Sequence, residues 1–547
     1  MLFPIKKNSI LSSEIECPSY CSIFSLILYS MLIWWLAHVI SDANLDKYDD
    51  MLESYAWGSL WSWGHDKHPP LFGWIAAAWF QIFPHTNEFF YLLSYAVVAL
   101  GLLGVFCLTP FFMSNVLGSS LSNDAYLQCC KKFSFLSVAL LLLAFPYTTL
   151  AAKYNANSIL LMLWPWTIYG FLKATQKSQS WLECLLNSFF FGLMAALSML
   201  GKYFSGILLL TLLFVSLLPL YRSWYRSFSP YLSLLIFCIC LAPHFYWLTQ
   251  HNFPTLVYLQ AKGDGKIHWI FCLKFLFVPL LYWCIPWYVV LVTFFEGPWY
   301  QRMVNSWRAI HLKNDALWWI AILPFIFTLL AGFLGFVKLT YPWAIPLGLA
   351  FPLLWLRNSL LLSPVKNKKV FQPLQLKTIG FIYLCVVIFI AVGIRIYAAY
   401  TQDVHYYLSQ KEAAVDIFKY WHELYPSEKP AWIVAEKKAA SLSFYNKSWD
   451  KVKVYPSFPS AAPASYNAAP DWDKGRGVIY CFVGQDTYSV QQRDSLPCVK
   501  KAAFWLQQRG YTDVVFKIFH NHREGLLFPK PLTFSFAVFF AKKEKNI

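Results

Sequence analysis

Five carboxylates fall within twelve residues of this chain: Asp42, Asp46, Asp49, Asp50 and Glu53. The same stretch ends in His65-Asp66-Lys67-His68-Pro69-Pro70, and Tyr55, Trp57, Trp61, Trp63 and Trp74 are set among the charges. Aromatic rings anchor in the headgroup layer, so such a segment holds its carboxylates at a membrane surface. A carboxylate there can act as general base on a hydroxyl, provided its neighbours keep its basicity suited to the task. The plain alternative is a solvated acidic loop.

Three lysines supply the complementary charge: Lys153 in Ala-Lys-Tyr-Asn, Lys202 in Gly-Lys-Tyr and Lys338 in Val-Lys-Leu-Thr-Tyr, each at the end of an apolar run. Singly, each reads as a snorkelling lysine that anchors a helix end. Gathered on one face, they can stabilise the charge that develops on a departing phosphate. Lys262-Gly-Asp-Gly-Lys266 reads either as a loop that grips a phosphate or as a plain turn. His68 is held in extended chain, because a proline disfavours helix for the residue before it. It either meets a phosphate or caps the segment that follows.

The elements that position these groups are membrane spans. Of 547 residues 58% are hydrophobic and only 13% charged, so lipid is the main solvent of this chain. Apolar runs recur at 22–40, 89–108, 133–150, 158–172, 185–200, 204–220, 231–248, 270–294, 317–333, 339–356 and 379–399. A further run, 71–83, is short and stops at Pro84, as a re-entrant or interfacial segment does. The first run reads as an uncleaved span, since acidic and aromatic residues follow it where a cleavage site would have small ones.

Charge parity orients the spans. With Lys6 and Lys7 inside and 71–83 not crossing, the inner loops hold Lys131/Lys132, Lys173/Lys177, Arg222/Arg226, Arg302/Arg308/Lys313 and Arg357/Lys366/Lys368/Lys369. The same parity puts 41–70, Lys153, Lys202, 251–268, Lys338 and everything after Tyr400 outside. The net charge of +17 is spread over these clusters, which argues for orientation signals and against nucleic-acid binding. The tail from 401 turns polar, with a helical pattern at 411–425, strand-like runs at 432–435 and 477–483, and a Ser/Ala/Pro-rich loop at 456–470. Cys481 and Cys498 can form a disulfide if the tail faces an oxidising compartment.

The acidic first outer loop, Trp63-Gly64 and His68-Pro69-Pro70-Leu71 resemble the membrane glycosyltransferases of family 39, which include protein O-mannosyltransferases, lipid A aminoarabinose transferases and core galacturonosyltransferases. The resemblance extends over about the first 350 residues, through Lys153-Tyr154-Asn155-Ala156-Asn157, Leu200-Gly201-Lys202-Tyr203, Ala242-Pro243-His244 with Trp247-Leu248, and Lys338 with Trp343-Ala344. It implies an all-α membrane domain of the GT-C type (residues 1–400, about 11–13 spans) with a small outer α/β domain (residues 401–547). It also implies transfer of a sugar, with inversion, from a polyprenyl-phosphate carrier to an acceptor hydroxyl.

In that family the base is an Asp about eighteen residues before His-Pro-Pro and usually followed by Glu, which gives Asp50, with Asp49 next to it as the alternative because Met51 follows Asp50. Lys202 matches the lysine suited to the carrier phosphate, helped by Lys153, Lys338 and His68. Glu53 and Tyr55 are expected to meet the acceptor or the sugar. Asn157 stands where some relatives carry a second acid, which leaves a divalent metal open but without a second carboxylate to support it. The expected partners are the lipid-linked donor, a glycolipid, glycan or protein acceptor (lipid A or core saccharide foremost) and membrane lipid, at the periplasmic face of a bacterial inner membrane. The rival from another class is a transporter or flippase of a lipid-linked sugar. It is disfavoured because the ionisable residues collect at one face rather than within spans.

Overall fold

The computed structural model describes all residues except 1–19, 118–122, 178, 264, 312–314, 363–372, 402, 436–439, 456–474, 486, 488–495, 524–531 and 544–547. The 456–470 loop and the centre of 262–266 lie outside the described residues. The membrane part runs α1 (Tyr20–Ser41), α2 (Asp50–Gly58), α3 (Leu71–Ile82), α4 (Asn87–Leu117), α5 (Asn123–Leu141), α6 (Leu160–Ala174), α7 (Trp181–Gly201), α8 (Ser205–Ser216), α9 (Ser229–Gln250), α10 (Pro254–Gly263), α11 (Trp269–Phe294), α12 (Trp299–Ile310), α13 (Ala316–Phe333), α14 (Ala350–Leu362) and α15 (Pro373–Thr401).

Among the described residues, seven helices are long and apolar enough to cross a bilayer: α1, α4, α7, α9, α11, α13 and α15. The other four apolar runs are broken or short. The 133–150 run bends by 85° where α5 gives way to short turns around Pro146, a bent pair that would make an eighth crossing. The 158–172 run becomes α6, which is 15 residues long, and 204–220 becomes α8, which is 12. The 339–356 run is interrupted by a short 3-10 turn, Tyr341–Ala344, before α14 begins. Mean hydropathy registers all four, because it does not register where a helix starts or breaks. The short 71–83 run is α3, a helix of 12 residues.

The tail holds α16 (Val404–Tyr407), α17 (Gln410–Leu424), β1 (Trp432–Ala435), α18 (Ala440–Tyr445), β2 (Lys453–Tyr455), β3 (Arg476–Gly484), α19 (Pro497–Gln508), β4 (Asp513–Arg523) and β5 (Leu532–Lys542). The strands form one sheet in the order β2-β1-β3-β5-β4, parallel across β2, β1 and β3 and antiparallel beyond. Alternation along a strand sends successive side chains to opposite faces. Val478, Tyr480, Phe536, Val538 and Phe540 accordingly join the same core as Trp421 of α17 and the membrane helices. Ile479, Cys481, Ala537 and Phe539 join a second core with α19. Cys481 and Cys498 are disulfide-bonded across that second core, tying α19 to β3.

The tail is seated on the loop that follows α1. Asn44 donates to the carbonyl oxygens of His405 and Leu408, and Arg523 donates to Asn44 Oδ1 and to the Ala43 carbonyl. Tyr445 donates to Asn87, and Phe444 stacks on His85. Helix α2 therefore lies between the spans and the sheet domain.

Candidate active site

Asp46 builds the start of α2. Its carboxylate accepts the backbone N–H of Tyr48 and Asp50 on one oxygen and that of Met51 on the other, at 2.8–3.2 Å. A helix N-terminus leaves four N–H groups without intrahelical partners, and a side-chain acceptor satisfies them. Here the acceptor comes from three residues upstream of the N-cap. The N-cap itself, Asp49, sits in the left-handed region (φ 62°) and makes no side-chain cap bond. That conformation is tolerated by Asp better than by most residues. It rotates Asp49 away from Asp50.

Asp50 and Glu53, one helical turn apart, line a cavity of about 460 Å³ with Lys67, His68, Asn157, Lys202, Tyr203, Lys338 and Trp343. That volume lies within the range of small-molecule sites. Asp49 is not among the lining residues. Burial drives the Tyr480 phenol of the sheet domain upward in pKa and Asp49 adds to it, which sets Asp49 on the tail side of α2. Tyr55, two residues on from Glu53, is about 200° round the helix. It is 3% exposed and packs edge-on against Phe80, His85 and Phe444. Tyr55 therefore supports α2 from behind and does not reach the cavity, contrary to the expectation that it meets acceptor or sugar.

Lys67 donates to Glu53 at 2.5 Å. Burial pushes the Glu53 carboxyl above its ordinary range, and Lys67 draws it back only in part. For Lys67, burial opposes the ammonium, but Glu53, with Tyr258 and Asp50, more than offsets it, so its pKa rises. The pair leaves Asp50, whose side chain is 40% exposed, as the more accessible carboxylate. Sequence reading passed over Lys67, since nothing in the His65–His68 run marks its partner fourteen residues upstream.

The opposite wall comes from the α5–α6 and α7–α8 connections. Asn155 accepts the backbone N–H of Asn157 and Ser158 on its side chain, a tight turn that presents Asn157. Lys202 is the C-cap of α7 and is 7% exposed. Its ammonium donates to Asn157 Oδ1 and lies 5.1 Å from the Trp343 ring centre. Lys338 is exposed at the rim, 4.3 Å from the Phe271 ring. His68 faces Phe72 and Tyr258 edge-on. Lys153, grouped with these cations in the sequence, is elsewhere: its ammonium lies 3.1 Å from Asp46 and 2.7 Å from Asp50.

A hydrogen-bond chain ties the two walls together. His244 Nδ1 lies 2.6 Å from the Trp63 carbonyl oxygen, so Nδ1 carries the proton, and Nε2 of the neutral ring accepts from the Tyr203 hydroxyl at 2.5 Å. Thr255 lies 3.3 Å from that hydroxyl. A Cβ on Gly64 would fall 2.2 Å from the Trp247 ring, so only glycine lets the first loop approach α9 here. Among the described residues, no group of three His, Cys, Asp or Glu side chains is spaced to hold a metal ion.

Residues 127–247 match the family model described as dolichyl-phosphate-mannose-protein mannosyltransferase. No curated protein matches the chain in sequence. ArnT from Cupriavidus metallidurans in the apo state superposes with a TM-score of 0.50 at 12% identity, over 93% of this chain and 97% of that one. The chain shares the GT-C fold of this ArnT. ArnT of the same organism bound to undecaprenyl phosphate gives a TM-score of 0.48 at 12% identity, over 94% of this chain and 98% of that one. The matched segment carries Asn155, Asn157, Lys202 and Tyr203 of the cavity wall that faces α2, and outside that wall it holds Lys153 and His244. The chain is a multi-pass membrane protein.

Proposed function

We propose that the protein is an inverting glycosyltransferase that moves a sugar from a polyprenyl-phosphate carrier to an acceptor hydroxyl on the outer side of the membrane. The observation that carries this reading is one cavity walled by Asp50 on one side and by the buried Lys202 on the other. Asp50 takes the proton of the acceptor hydroxyl as its oxygen bonds to the anomeric carbon. The bond from that carbon to the phosphate oxygen breaks on the opposite side, and Lys202, with Lys338 and His68 at the rim, meets the charge left on the phosphate. Glu53, braced by Lys67, is suited to hold a hydroxyl of the sugar or the acceptor. Asp50 is preferred to Asp49 because only Asp50 lines the cavity. The phosphate carrier is favoured by the match of 127–247 to a dolichyl-phosphate-dependent family.

For the acceptor, lipid A or core saccharide stands first, in a bacterial inner membrane with the site periplasmic. Mass spectrometry of envelope glycolipids from cells with and without the protein tests this, and a glycolipid lacking one sugar residue is the expected difference. An unchanged glycolipid profile would move the acceptor to protein or another glycan. Lys202→Met is expected to weaken binding of a polyprenyl monophosphate by about tenfold or more, as for loss of a charge-assisted bond. Unaltered binding in a native mass-spectrometry titration would remove Lys202 from the phosphate site.

A further inference from the structure

Lys153 differs from the other outer-face lysines in what it touches. Its ammonium is bracketed by Asp46 and Asp50, at 3.1 and 2.7 Å, and lies 4.9 Å from the Tyr48 ring. It is absent from the wall of the cavity that Lys202 and Lys338 line. The backbone on both sides of the contact is fixed. Tyr154, fully buried, donates to the Phe72 carbonyl at 2.6 Å, and Asn155 closes the following turn. Across from it the Asp46 carboxylate, 8% exposed, already holds the N–H groups of Tyr48, Asp50 and Met51.

The charge count argues against a phosphate there. Two carboxylates and one ammonium leave the cluster one negative charge, which repels a phosphate at contact distance. A proton arriving on Asp50 from an acceptor brings the same cluster to neutrality. Burial disfavours the Lys153 ammonium, but Asp46 and Asp50 outweigh it and raise its pKa.

We propose that Asp46 and Lys153 are positioning residues for Asp50. Asp46 sets the backbone that starts α2, and Lys153 pins the Asp50 carboxylate at the cavity wall without touching the carrier. This rests on Asp50 being the base, as proposed above.

The test uses the full-length protein in lipid nanodiscs, with undecaprenyl phosphate as binding probe and, for turnover, a lipid-linked donor from which the wild type releases free carrier. Lys153→Met is expected to lower kcat by about 100-fold, the scale of a misplaced reacting group. The donor KM and the affinity for undecaprenyl phosphate stay within about twofold, since binding that is equal in ground and transition states is untouched. Lys153→Arg, which keeps the charge, restores turnover to within about tenfold of wild type. The double variant Asp50→Asn/Lys153→Met is no slower than Asp50→Asn alone, because residues acting as a unit are not additive.

The result that overturns the proposal is an inactive Asp50→Asn beside a Lys153→Met variant that loses undecaprenyl phosphate affinity at unchanged kcat. An active Asp50→Asn is a different failure: it removes the base itself, and the positioning claim with it. A third arm needs no substrate. Melting midpoints of Asp46→Asn, Lys153→Met and their double variant are expected to be strongly non-additive, and additive shifts overturn the clamp whatever reaction the cavity performs.

Discussion

Asp49 and Asp50 are chemically identical neighbours, and the backbone gives them separate surroundings. The left-handed turn at Asp49 directs it toward the sheet domain, whereas Asp50 opens the first turn of α2 beside the cavity. Spacing to His68 could point at Asp50 but could not separate the two, because the turn that does so is set by Asp46, whose bonds are made to the backbone. Lys202 was likewise legible from its motif, while Lys67 and the partners of Lys153 were not, since ion pairs join residues distant in sequence. His65 offers a test at this scale. It is buried, stacked 5.2 Å from Trp57, and its Nε2 has no hydrogen-bond partner among the described residues. Burial, with His244 nearby, pushes its imidazole down to about 3. Below about pH 6.5 the unfolded chain takes up a proton that the folded chain refuses, so this group costs stability as pH falls, by up to about 1.4 kcal/mol per pH unit. Thermal unfolding in micelles from pH 7 to pH 5 should show a falling midpoint in the wild type. A much flatter limb is expected in His65→Phe, and parallel limbs would place the titration elsewhere.

At the scale of elements, α2 and α3 meet backbone to backbone. A Cβ built on Gly58 would fall 1.8 Å from the Gly73 carbonyl oxygen, a contact no side-chain adjustment relieves. Gly58→Ala is therefore expected to destabilise the protein by roughly 2–4 kcal/mol, in the upper range for single substitutions, and to lower turnover by shifting Asp50. Gly206→Ala in α8 is the counterpart, since its Cβ would meet nothing closer than Met199 Sδ at 4.0 Å. There the better helix propensity of Ala should raise stability by about 0.5–1 kcal/mol. Melting midpoints of the two variants should move in opposite directions, and a neutral Gly58→Ala would mean that the helices are not in contact. Seven of the eleven apolar runs were legible as continuous spans because they stay helical throughout. Three of the other four hide turns at Pro146, after Ser216 and around Tyr341, and the fourth, 158–172, is a short helix entered through the Asn155 turn. Two of these turns, at Asn155–Asn157 and next to Trp343, form cavity wall. The features least visible in hydropathy thus carry the site.

At the scale of the whole molecule, the sheet domain and the spans share one core, and α2 is clamped between them through Tyr55, Phe444 and the Asn44–Arg523 contacts. Of the five described strands of the tail, β1 and β3 were legible as strand-like runs, whereas β2, β4 and β5 were not, nor was the tail's seat on the loop after α1, since that contact joins positions more than 350 residues apart. Orientation is testable directly. Tyr48 is 71% exposed beside α2, so in a background without reactive thiols Tyr48→Cys should react with a membrane-impermeant maleimide in intact cells stripped of their outer barrier. Reaction only after the membrane is opened would invert the arrangement. The central claim concerns chemistry, and the most direct measurement is release of free polyprenyl phosphate from polyprenyl-phosphate-linked sugars by the full-length protein in nanodiscs with an envelope glycolipid extract. The wild type should release one carrier for each sugar transferred. Asp50→Asn should bind the carrier and fall by about a thousandfold or more, the upper range for loss of a general base with its alignment, while Asp49→Asn stays within about tenfold of wild type. Movement of intact carrier across the membrane without release, or an Asp50→Asn variant as fast as wild type, would contradict it.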